Sequence, residues 1–182
     1  MHIRDATIED AEAIALVHVD GWQWGYRGLL PDTYLNELSA DRRAEQWRSW
    51  LLDPGHTRTF VAEAEDRCIG FAAAGPSRDP GAGPSVGEVY AIYLEEHVAG
   101  TGVGTALLRA AIESLAAQGW THATLWVLDG NGRARRFYER EGWTLDGAAK
   151  SEPREDFVID EVRYTLPLQR TGPQIKKSSA PT

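Results

Sequence analysis

The chain has 182 residues, 42% hydrophobic and 25% charged, the make-up of one globular domain with a sizeable core. Its 19 basic and 27 acidic residues leave a net charge of −8 with no lysine or arginine run outside the tail, so the phosphate attraction behind nucleic-acid binding is missing. The lone Cys68 excludes an internal disulfide, the scattered histidines (2, 18, 56, 97 and 122) lack metal-ligand spacing, and no apolar stretch or leader speaks for a membrane, so a soluble, cytoplasmic, metal-free protein is expected.

In chain order, "HIRDA" predicts a short strand. Thr7 then has the capping-box form with Asp10 in place of the usual Glu or Gln, and Ile14, Leu16, Val17 and Trp22 carry a helix to about Gly21. "GWQWGYRGLLP" reads as an aromatic loop. Pro31 suits the first position of a second helix, and "SADRRAEQWRSWLL" makes a third, stopped by Pro54-Gly55. The period then changes. "TRTFVAEAE" and "CIGFAAAG" predict an antiparallel hairpin turning at Asp66-Arg67, and "GEVYAIYL" predicts a further strand. Val103, Ala106, Leu107, Ala110, Ala111, Ser114 and Leu115 fall at helical spacing, with Gly119 as the C-cap. "THATLWVL" is a strand, "NGRARRFYEREG" a helix closed by Gly142, and "WTLDGA" a strand. Val158, Val162, Tyr164, Leu166 and Leu168 share one face of a last strand. Residues 1–168 form the expected domain, and 169–182 an expected flexible tail.

The densest signal is "HVAGTGVGTALL", a glycine-crowded turn that opens a helix. Such a turn aims unpaired backbone N–H groups and the positive end of the helix dipole at one point, which suits a phosphate. The triphosphate-loop pattern needs a lysine that Gly104-Thr105 lacks, and the dinucleotide pattern needs a different glycine spacing. "GPSVG" matches the hydrolase nucleophile elbow at Ser85, but a strand rather than a helix follows it, and no Asp and His come after it in the required order.

The third pattern, [Q/R]-x-x-G-x-[G/A], fits Ala99 to Gly104 except at its first position. With "VYAIYLEE" before it and "NGRARRFYEREGW" after it, this stretch resembles the GNAT superfamily of acetyl-CoA-dependent N-acetyltransferases over residues 2 to 168. The resemblance implies a single α/β domain. Its mixed, mostly antiparallel, twisted sheet would have about 6–7 strands, central parallel strands "GEVYAIYL" and "THATLWVL" that splay apart, and helices on both faces.

It also implies that acetyl-CoA enters the splay. The backbone of Ile92, Tyr93 and Leu94 would contact the pantetheine arm and acetyl group. The amides of Gly100, Thr101, Gly102, Val103, Gly104 and Thr105 would hold the pyrophosphate. Asn131 would bond the pantetheine, and Tyr138 would meet the sulfur. Ala99 removes a side chain rather than the cradle, for which His97, Arg133 or Arg136 could substitute. Tyr138 suits the acid that protonates the departing thiolate, Glu88 the base acting through water, and the Leu94 N–H the oxyanion donor. Trp22, Trp24, Tyr26 and Arg27, with the loop "AAKSEPRED", would border an acceptor that is a small amine or a peptide. A homodimer is compatible with the family, and a non-catalytic acyl-CoA-binding module is the alternative function.

Overall fold

Seven strands build one mixed sheet in the order β1-β2-β3-β4-β5-β7-β6, within the 6–7 strands that the family resemblance implies. The computed structural model describes residues 1–169, and the expected flexible tail falls almost entirely outside them. The strands are β1 (His2–Asp5), β2 (Arg58–Ala64), β3 (Arg67–Pro76), β4 (Val86–Leu94), β5 (His122–Leu128), β6 (Thr144–Pro153) and β7 (Val158–Pro167). The helices are α1 (Ala11–Gly25), α2 (Asp32–Asn36), α3 (Ala40–Leu52), α4 (Val103–Ala117) and α5 (Gly132–Arg140).

Side chains alternate across a strand, so Val61 and Ala62, or Phe71 and Ala72, serve opposite faces. Val61, Phe71 and Ala73 meet Ile14, Val17 and Trp47 of α1 and α3. Ala62, Ala72, Ala74 and Val89 meet Leu107, Ala111 and Leu115 of α4. Helices therefore cover both faces, and β3, buried on each, reads as a nearly unbroken apolar run.

β4 and β5 pair in parallel only from Val86–Glu88 to His122–Thr124, and then part. A bulge accompanies the parting: the β3–β4 register steps from Ala74↔Val89 to Ala73↔Ala91, so Tyr90 has no partner. Tyr90 donates its hydroxyl hydrogen to the Pro76 carbonyl at 2.5 Å. A Cβ on Gly75 would lie 2.6 Å from the Tyr90 hydroxyl oxygen, so glycine is what lets the ring settle there.

Several boundaries differ from the sequence reading. α1 continues through Gly21 to Gly25, because Gly21 lies against Tyr93 of β4, whose Cβ would be 3.0 Å from an added Cβ. Trp22 and Trp24 thus stand on helix rather than loop. Pro31 is the N-cap of α2 instead of its first residue. The β2–β3 turn uses Glu65 and Asp66, both with positive φ. The capping-box carboxylate of Asp10 accepts the Thr7 N–H at 2.7 Å, but it closes a short 3-10 turn ahead of α1. β6 extends to Pro153, so most of "AAKSEPRED" is strand; pairing with β7 overrides its weak strand propensity, with a kink at Gly147 of positive φ. In β7, Val158 is exposed and Ile159 is buried against Leu30 and Leu35.

His18 of α1 is buried, stacks on Tyr93 with ring centroids 4.8 Å apart, and accepts the Trp47 indole N–H on Nδ1 at 3.2 Å. Burial, aided by the charge of Arg43, pushes its pKa down to about 3. A folded-state value below the unfolded ~6.5 favours the native state while the ring is neutral, so stability is full above pH ~6.5 and declines as pH falls toward 3. Denaturant titrations from pH 7 to 4 should show the parent losing up to about 1.4 kcal/mol per pH unit more than His18→Gln. Equal slopes would remove His18 from that role.

Candidate active site

The turn before α4 is shaped for an anion. Gly100 and Gly102 have φ of +80° and +95°, the left-handed region that costs an L side chain about 1–2 kcal/mol. Gly104 is there for closeness: an added Cβ would sit 3.3 Å from Leu94 and 3.6 Å from the Phe137 ring. Thr101 and Ala106 use their amides on Val98 and Gly102, whereas those of Gly100, Gly102, Val103, Gly104 and Thr105 donate to no other backbone group among the described residues. Unclaimed amides at the N-terminus of a fifteen-residue helix form a concave positive site. The Val103 side chain points into the core, and the Thr105 hydroxyl donates to Glu141 of α5 at 2.8 Å, so only their amides are available to a ligand.

Below this turn the parting of β4 and β5 opens a cavity of about 520 Å³, lined by Ile92, Tyr93, Leu94, the turn, Asn131 and Tyr138 among others. The Leu94 carbonyl accepts the Trp24 indole N–H at 3.0 Å, so it is turned away from β3. N–H and C=O of one residue leave a strand on the same side, which directs the amides of Leu94 and Ile92 into the split. Asn131 is buried and caps α5, its Oδ1 accepting the Ala134 N–H at 3.0 Å, while its side-chain N–H groups have no partner among the described residues.

Tyr138 is buried in the same wall, against Trp143 and Tyr164, and its hydroxyl has no hydrogen-bond partner among the described residues. Burial, reinforced by Tyr26, raises its pKa and keeps the phenol protonated. Across the split the hydroxyls of Tyr26 and Tyr93 bond each other at 3.0 Å; burial raises both.

The other candidates divide. Trp24 lines the cavity and carries the Arg133 guanidinium on its face at 3.9 Å. Trp22 does not line it: it packs edge-on against Tyr26, with its indole nitrogen buried and without a hydrogen-bond partner among the described residues. Arg27 lines a separate, open groove with Asp20, Glu95 and His97. Glu88 is 2% exposed and is not brought to the cavity wall. Its carboxylate accepts the Arg78 backbone N–H at 2.8 Å and the Arg78 guanidinium at 2.5 Å, which ties the β3–β4 loop down.

Tyr90, Trp126 and Arg140 also line the cavity and escaped the sequence reading. Trp126 is held by Asp79, which accepts its indole N–H at 2.8 Å and also binds Arg163, while Lys150 sits over its ring at 4.2 Å. The outward face of an alternating strand offered the only signal for it. Nothing in the sequence marks the bulge that leaves Tyr90 without a partner on β3.

The residues present fit coenzyme A, whose pyrophosphate needs amides and whose pantetheine arm needs a free strand edge. The model of the acetyltransferase (GNAT) family matches residues 22–143. An uncharacterized N-acetyltransferase, YuaI, of Bacillus subtilis is 38% identical over 130 residues, 71% of this chain and 72% of that protein. An uncharacterized N-acetyltransferase of Archaeoglobus fulgidus is 30% identical over 76% of this chain and 89% of its own length. In fold, the chain superposes on yncA from Salmonella typhimurium, solved with its cofactor acetyl-CoA, at a TM-score of 0.71 and 20% identity, over all of this chain and 98% of that one. The split sheet and glycine turn thus occur in a chain whose sequence relatives are N-acetyltransferases, and it belongs to the GNAT acetyltransferase family as an enzyme of that class.

Proposed function

We propose that the enzyme moves the acetyl group of acetyl-CoA to the amine of a small molecule or peptide, by direct attack within the split between β4 and β5. The observation that carries this reading is the meeting, in one cavity, of the unclaimed amides of the glycine turn and the unbonded hydroxyl of Tyr138. Acetyl-CoA supplies the activated acetyl group as a thioester. The amides of Gly100 and Gly102 to Thr105 hold its pyrophosphate, with Asn131 on the pantetheine and the strand edge of Ile92, Tyr93 and Leu94 alongside. The Thr101 amide already serves Val98, which leaves this residue a shaping part. The enzyme reading is preferred to the non-catalytic module because Tyr138 and Asn131 both face the cavity and the sequence relatives are enzymes.

The Leu94 N–H stabilises charge growing on the carbonyl oxygen, an interaction that strengthens in a water-poor split. Tyr138 holds a proton at its phenol oxygen for the leaving sulfur; burial raises the basicity of both groups together, so the transfer stays matched. The Tyr26–Tyr93 pair and Trp24 border the acceptor on the opposite wall. Glu88, locked by Arg78, positions the loop before β4, and the proton lost by the amine goes to water.

Tyr138→Phe should lower kcat by about 10²- to 10⁴-fold in thiol release from acetyl-CoA with an amine panel, with CoA affinity changed less than about twofold. An unchanged kcat removes Tyr138 as the acid. Glu88→Gln should leave the pH–rate profile in place and cost about 1–3 kcal/mol of stability through the weakened Arg78 contact. A profile moved upward in pH would instead return Glu88 to the role of base.

A further inference from the structure

α5 has four arginines in nine residues, three of them in its first five, the end where the helix dipole disfavours cations. One is explained by structure. Arg135 faces away from the cavity, pairs with Asp129 at 2.7 Å and donates to the Tyr164 hydroxyl at 3.2 Å. Arg133, Arg136 and Arg140, at spacings of three and four, share the opposite face and line the cavity. None of the three has a carboxylate partner among the described residues; Arg27, Arg42, Arg43 and Arg109 lack one too, but none of those four lines the cavity, whereas Arg4, Arg48, Arg67, Arg78, Arg154 and Arg163 are paired.

This stripe runs beside the contacts that join α5 to the glycine turn, the Phe137 ring against Gly104 and Glu141 on the Thr105 hydroxyl. It also borders Ala99, where the family pattern has Gln or Arg. A protein of net charge −8 repels a polyanionic cofactor unless cations are gathered where it binds. The pyrophosphate is served by amides, and Arg133 is committed to the face of Trp24. Arg136 and Arg140 are left on the cavity lining with no carboxylate partner among the described residues, and a phosphomonoester of charge about −1.5 to −2 is the matching demand.

We propose that Arg136 and Arg140 bind the 3′-phosphate of the cofactor, offsetting the side chain lost at Ala99 and making the enzyme selective for coenzyme A over dephospho-coenzyme A. The inference rests on the acetyl-CoA reading. Calorimetric titration of the full chain with CoA and with dephospho-CoA tests it without any acceptor. The parent should prefer CoA by about 10- to 100-fold, the worth of one or two charge-assisted hydrogen bonds. Arg136→Gln/Arg140→Gln should bind both ligands alike, at about the parent's affinity for dephospho-CoA, while Arg135→Gln keeps the preference. Retention of the preference by the double variant, or equal binding of the two ligands by the parent, overturns the inference and leaves the acetyl-CoA reading standing. Binding of neither ligand by the parent overturns both.

Discussion

The separation of β4 from β5 after three paired residues is the constraint on which the site depends. Two adjacent parallel strands would normally satisfy each other's backbone groups, and each group left unpaired in an interior costs about 1–3 kcal/mol. Here part of that cost is offset locally. The Trp24 indole takes the Leu94 carbonyl, and the Tyr90 bulge is pinned by its hydroxyl on Pro76, with Gly75 making room. What stays unsatisfied is an amide edge and a row of turn amides, the two features a pantetheine diphosphate can use.

Each wall of the split comes from a different layer. α1 and its C-cap contribute Trp24 and Tyr26, and α5 and its N-cap, which follow the C-terminal end of β5, contribute Tyr138 and Asn131. Arg133 spans the two by lying on Trp24. The proposed chemistry uses this division: a phenol with no hydrogen-bond partner among the described residues sits on one wall, and a bonded phenol pair on the other. Glu88, buried behind the cavity wall, holds Arg78 and the loop before β4.

Much of this was legible in residue order. The 3.6-residue period of α4, the glycine turn before it and the Gly142 stop after α5 are local signals, and they appear where local physics puts them. What escaped depends on partners distant in sequence. Gly21 read as a helix break because the need for a bare Cα there comes from Tyr93, and the bond from Arg78 to Glu88 was hidden because Arg78 reaches it only after the loop folds back. Trp22 looked like an acceptor contact when its ring fills a buried aromatic cluster with His18, Tyr26 and Tyr93. The length of β6 was hidden because an exposed edge strand takes its structure from its neighbour rather than from its own polar residues.

The central claim is that the amides of the split and the turn are the cofactor's binding surface. Amide hydrogen exchange with and without saturating coenzyme A measures this at single groups. The account expects slowed exchange at Ile92, Leu94, Gly100 and Gly102 to Thr105, with the amides of β1 and β2 unaffected. Unchanged exchange at the glycine turn, with coenzyme A demonstrably bound, would contradict it.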